Sequence, residues 1–64
     1  MSCKTIVYKG SDGSHYAFRS CGGDGSLASA MGEVIFEKEA DDPNTATVLA
    51  RIEAKKRGIT VKDL

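Results

Sequence analysis

Lys4-Thr5-Ile6-Val7-Tyr8-Lys9-Gly10, Ser11-Asp12-Gly13 and Ser14-His15-Tyr16-Ala17-Phe18-Arg19-Ser20 are the stretch whose reading decides the fold. Two runs rich in β-branched and aromatic residues flank an Asp-Gly turn signal, the pattern of a β-hairpin. Two registers compete. With Asp12-Gly13 as the centre of a type I′ turn, Ser11 pairs with Ser14, Val7 with Phe18 and Lys9 with Tyr16, and Lys9 falls among aromatics. With Ser11-Asp12-Gly13 as a three-residue loop and Gly13 left-handed, Gly10 pairs with Ser14, Ile6 with Phe18 and Tyr8 with Tyr16. The other side then carries Cys3 with Cys21, Thr5 with Arg19, Val7 with Ala17 and Lys9 with His15. A one-residue slip moves side chains to the opposite face, so the register with the cleaner apolar side is favoured. The three-residue loop is therefore expected, with Ile6, Tyr8, Tyr16 and Phe18 inward and Thr5, Lys9, His15 and Arg19 outward.

At 64 residues the chain reads as one small α+β domain, 1–64, with the hairpin over 4–20. A chain this short buries only about 60% of the surface its unfolded form exposes, so added support such as self-association is expected. The formal net charge is zero, which argues against a whole-molecule polyanion binder. Charge is nevertheless segregated. Glu33, Glu37, Glu39, Asp41 and Asp42 make the middle acidic, whereas Arg51, Lys55, Lys56 and Arg57 make the later segment basic. No apolar run is long enough for a membrane span and no signal-peptide hydrophobic region opens the chain, so a cytoplasmic protein is expected. In a reducing compartment Cys3 and Cys21 are expected as free thiols, although the hairpin register makes a cross-strand disulfide geometrically conceivable.

Residues 21–32 form a Gly-rich loop, with Gly22-Gly23-Asp24-Gly25-Ser26 plain loop and Leu27 to Met31 ambiguous. A third strand is expected over 33–39, with Val34 and Phe36 inward, Ile35 half-exposed and Glu37 and Glu39 facing solvent. The next element is a helix over 43–57. Asp42 suits the N-cap, Pro43 the first helical position and Gly58 a left-handed C-cap, with Ile59 against Ala54. Val48, Leu49 and Ile52 supply its apolar stripe, and Lys55, Lys56 and Arg57 complement the negative end of its dipole. The tail over 59–64 pairs as a short strand or docks Val61 and Leu64 on the core. These elements predict a three-stranded antiparallel sheet, a β-hairpin plus a third strand, with one C-terminal helix on the Ile6, Tyr8, Tyr16, Phe18 face.

Few residues point to chemistry. His15 is the lone histidine, and the register sets it at the far end of the hairpin from both cysteines, so no metal site is expected. The Gly-rich loop lacks the Gly-Lys-Ser/Thr ending of a P-loop and has no βαβ context, so no cofactor is expected. The acidic residues fit neither a calcium loop nor a defined acid–base pair. The basic helix residues suit a phosphate backbone, while dipole compensation and pairing with Glu53 account for them without a ligand.

Tyr8-Lys9, Asp12-Gly13, Tyr16-Ala17-Phe18-Arg19 and Gly32-Glu33-Val34-Ile35 resemble the small YegP-like ββα domains. That likeness implies compact paired units without an established activity, and the segment from Cys21 to Met31 is longer here. Gly13-Ser14-His15 opening a strand, with a later helix and Gly58-Ile59-Thr60, is similar to HicA-type mRNA interferase toxins. This second likeness implies RNA cleavage by His15, although those toxins begin with a helix that has no counterpart before this hairpin. The expected function is a non-enzymatic interaction module that binds a protein partner or itself as a homodimer, by sheet face, sheet edge or helix. The alternative is nucleic-acid binding by the basic helix face, with a HicA-like ribonuclease as its enzymatic form. The expected contact residues are Lys9, His15, Arg19, Arg51, Lys55, Lys56 and Arg57.

Overall fold

A computed structural model describes residues 2–22, 32–62 and 64 of the chain. Strands β1 (Cys3–Lys9), β2 (His15–Cys21) and β3 (Glu33–Ala40) precede helix α1 (Pro43–Arg57). The antiparallel sheet has the order β2-β1-β3, so the first strand is central. Its hairpin register is the expected one: Ile6 opposes Phe18, Val7 opposes Ala17, Tyr8 opposes Tyr16 and Cys3 opposes Cys21. The loop has three residues. Gly10 N–H donates to the Ser14 carbonyl at 2.8 Å, Gly13 N–H donates to the Gly10 carbonyl at 3.0 Å, and Gly13 has φ +83°. Asp12 fastens it from inside, accepting from Ser14 N–H at 2.9 Å and from the Tyr16 hydroxyl at 2.6 Å. The two bonds hold the Asp12 carboxyl below its usual range, the Tyr16 hydroxyl first and the Ser14 amide second, and the Asp12 partner holds the Tyr16 phenol above its own. Of the Gly-rich loop expected over 21–32, Cys21 instead closes β2 and pairs with Cys3, while residues 23–31, with the ambiguous segment ending at Met31, lie outside the described ones.

The helix lies on the face opposite the expected one. Val7, Ala17, Phe36, Ala50, Ala54 and Val61 form one core cluster, while Ile6 and Tyr8 form another with Tyr16 and Phe18 packed against them. The choice follows from side-chain size. Helix α1 turns Ala46, Ala50 and Ala54 inward, all buried, at intervals of four residues. Three alanines let the helix axis approach the sheet closely over Thr5, Val7 and Ala17, where bulky aromatics would hold it away. Thr5, expected outward, is consequently 0% exposed, and Cys3 is buried as well. Val48, Leu49 and Ile52 were the expected core stripe, and they point away from the sheet with 49%, 38% and 49% of their surface exposed.

On β3 the register shifts between Val7 and Tyr8: Val7 opposes Phe36 while Tyr8 opposes Val34. Ile35 is the extra residue of a bulge, so Ile35 and Phe36 both reach the helix-side core while Val34 shares the opposite face with Tyr8 and is exposed. The expected inward pair of Val34 and Phe36 is thus split between faces. A Cβ on Gly32 would come within 2.2 Å of the Lys9 carbonyl oxygen, so this entry to β3 requires glycine. The helix ends as expected. Asp42 Oδ1 accepts from Thr45 N–H at 2.8 Å, Gly58 has φ +72°, and Ile59 N–H donates to the Ala54 carbonyl at 2.9 Å. Both tail alternatives occur together. Val61 bridges His15 of β2 in parallel and is buried, Lys62 N–H donates to the His15 carbonyl at 3.0 Å, and Leu64 packs on the core.

Cys3 and Cys21 are joined in a disulfide, which corrects the expectation of free thiols. Directly opposed hairpin positions hold the two sulfur atoms within bonding reach, a local effect that a compartment argument does not contain.

Candidate interaction surface

Helix α1 is held over the sheet by its first turns. Thr47 Oγ1 donates to the Pro43 carbonyl at 2.8 Å and accepts from Arg19 Nε at 2.9 Å. Its hydrogen is thereby used, so the buried Thr5 hydroxyl is the donor in the 3.4 Å contact between the two threonines. One hydroxyl thus ties α1 to β1 and β2 together.

This tie orients the rest of the helix. Thr47, Arg51 and Lys55 succeed one another at intervals of four and form one line on the β2 side. Arg51 and Lys55 also line a shallow cleft of about 260 Å³ with Ile59, Thr60, Val61 and Leu64, the tail that runs beside His15. Glu53 and Arg57 form the opposite line, on the β3 side. Lys38 Nζ lies 3.4 Å from Glu53, Arg57 Nε donates to Glu53 at 2.7 Å, and the Arg57 guanidinium sits 4.9 Å over the Phe36 ring. The Arg57 hydrogen bond first, and the Lys38 one after it, holds the Glu53 carboxyl below its usual range. At the other end, the Thr45 amide and hydroxyl depress Asp42 in the same way.

The expected contact residues therefore divide. Arg19, Arg51 and Lys55 share the β2 flank, and Lys9 and His15 oppose each other at the turn end of the hairpin. Lys56 is exposed at the helix end, and Arg57 is turned toward β3 and engaged by Glu53 and Phe36. On the β3 side Lys4 is 3.6 Å from Glu37, so its cations have carboxylate partners. Among the described residues no carboxylate pairs with Arg51, Lys55 or Lys56. His15 offers its backbone carbonyl to the tail, and among the described residues no side chain hydrogen-bonds its imidazole. No cluster of metal-binding side chains occurs among the described residues, and the bonded cysteines offer no thiolate. No described helix is long and apolar enough to cross a membrane.

Two contributors escaped the sequence reading. Lys62 adds a cation at the β2 edge, 5.6 Å from the centre of the Tyr16 ring on the sheet face away from α1, a position fixed by the tail's bridge to β2. The outward apolar stripe is hidden in the sequence because large apolar residues at helical spacing ordinarily mark the buried side. The regular spacing of Ala46, Ala50 and Ala54 was the signal that would have found it.

Comparison with protein-family models, with curated proteins and with solved structures finds no match to this chain. The YegP-like and HicA-like resemblances therefore rest on their short motifs alone.

Proposed function

We propose that this protein is a non-enzymatic interaction module that docks on a second copy of itself through the outer face of α1. The observation that carries the reading is the inverted helix: alanines face the sheet, and Val48, Leu49 and Ile52 face outward, two of them half exposed. An apolar stripe of large residues on a helix with its own core side already satisfied is the pattern of a helix–helix contact.

Charge selects the arrangement. Asp41 and Asp42 stand at the start of α1, and Lys56 at its end. In an antiparallel pair related by a two-fold axis, Val48 of one copy meets Ile52 of the other, and each acidic end faces a basic end. The helix dipoles oppose as well. A parallel pair would set like charges together. The net charge of zero removes any long-range repulsion between copies. Three large apolar residues per copy make a small seam, so the dimer belongs to the weak, reversible class.

Light scattering over a concentration series reaching about 1 mM, where binding worth roughly −4 kcal/mol is half complete, is expected to show monomer passing to dimer. The double variant Val48→Ser/Ile52→Ser is expected to stay monomeric with its helical circular dichroism intact. Lys56→Glu should weaken the dimer and Asp41→Lys in the same chain should restore it. A monomer at every concentration, or a dimer indifferent to these substitutions, would overturn the proposal.

A further inference from the structure

We infer that two copies paired in this way join their basic β2 flanks into one face that takes the phosphate backbone of a nucleic-acid duplex. This rests on the antiparallel pairing just proposed. Two helices meeting face to face and antiparallel are related by an axis perpendicular to both helices and to the line joining them. Rotation about that axis keeps each flank on the same side of the dimer. The β2 flank of one copy therefore lies beside the β2 flank of the other, and the β3 flanks share the opposite side.

The two sides differ in charge. Arg51 and Lys55 stand on the β2 flank without carboxylate partners among the described residues, in line with Thr47, which Arg19 of β2 hydrogen-bonds. The β3 side carries Glu33, Glu37, Glu39 and Glu53, with Lys4, Lys38 and Arg57 paired to two of them. Pairing thus gives a neutral chain a dimer with one side of cations lacking carboxylate partners among the described residues and one side on which cations and carboxylates are paired. This resolves the objection that net neutrality raises against a polyanion partner, because attraction depends on the local field and not on the sum.

The chemistry of the face favours a duplex. Guanidinium and ammonium groups suit phosphate oxygens, and repetition across a two-fold axis suits a regularly spaced backbone. Tyr16 is half-buried beneath Lys62 and Tyr8 is buried, so the face lacks the open aromatic platforms on which single strands stack. Val48 and Ile52 are used at the seam, which leaves the β2 flank no large exposed apolar wedge for insertion into a bilayer among the described residues.

The test is fluorescence anisotropy with a labelled random-sequence DNA duplex of about two helical turns, roughly 20 base pairs, with light scattering on the same samples. Arg51→Gln/Lys55→Gln removes two cations per copy. The plot of log affinity against log salt should lose about three to four units of slope, at roughly 0.9 per phosphate contact. Lys38→Gln, on the other flank, should leave the slope unchanged. Dimers that ignore the duplex, or that prefer vesicles of anionic lipid, would overturn this inference and leave the dimer standing. Equal duplex affinity in the monomeric Val48→Ser/Ile52→Ser variant would overturn the two-copy face. Absence of any dimer would overturn both.

Discussion

Thr47 holds more of this molecule in place than its size suggests. Its hydroxyl takes a hydrogen bond from Arg19 and one from the fully buried Thr5, and gives one to the Pro43 carbonyl. Thr47→Val keeps the shape and removes all three. The Thr5 hydroxyl is then left buried without a partner, and a loss of about 1–3 kcal/mol is expected in chemical denaturation. Thr47→Ser should retain most of the stability, and equal losses in the two variants would exclude the hydroxyl as the cause. Nothing in the sequence marks this residue, because its three partners come from β1, β2 and the start of the helix. By contrast, Asp42, Gly58 and Gly13 were legible as residues. Their tasks are local, a cap or a left-handed turn, and their neighbours in the chain specify them.

At the scale of elements, the ends of α1 and the register of the hairpin followed from the chain, and the direction each element faces did not. Ile6-Val7-Tyr8 is a continuous apolar run, the mark of a strand buried on both sides, and alternation was the wrong template for it. The helix offered two faces of different character, and the one with small residues went inward. Ala50→Leu is therefore expected to destabilise by about 1–3 kcal/mol, by forcing α1 off Val7 and Ala17. Val48→Ser, on the exposed face, should leave the unfolding midpoint of the monomer nearly unchanged. Urea titrations of the two variants read the difference, and the reverse ranking would contradict the inward alanine face.

At the scale of the molecule, the disulfide clasps the open end of the hairpin and the charge distribution follows from how α1 and the tail pack on the sheet. Cys3 and Cys21 are 18 positions apart in the chain, and closure of a loop near that length stabilises a fold by roughly 3 kcal/mol in the chain-entropy account. Addition of a thiol reductant should lower the denaturation midpoint, and Cys3→Ser/Cys21→Ser should show the same midpoint with and without it. An unchanged midpoint on reduction of the native chain would show that the clasp adds no stability. The hairpin stretch from Lys4 to Ser20, with its flanking cysteines, determined its own register, because turn geometry and cross-strand pairing act between residues close in sequence. Caps and helix limits were determined for the same reason. Only the tertiary structure decided which sheet face received α1, which side of α1 stayed outside, and which cations share the β2 flank. Those outcomes depend on how closely two preformed surfaces can approach, and that distance is set jointly by residues far apart in the chain.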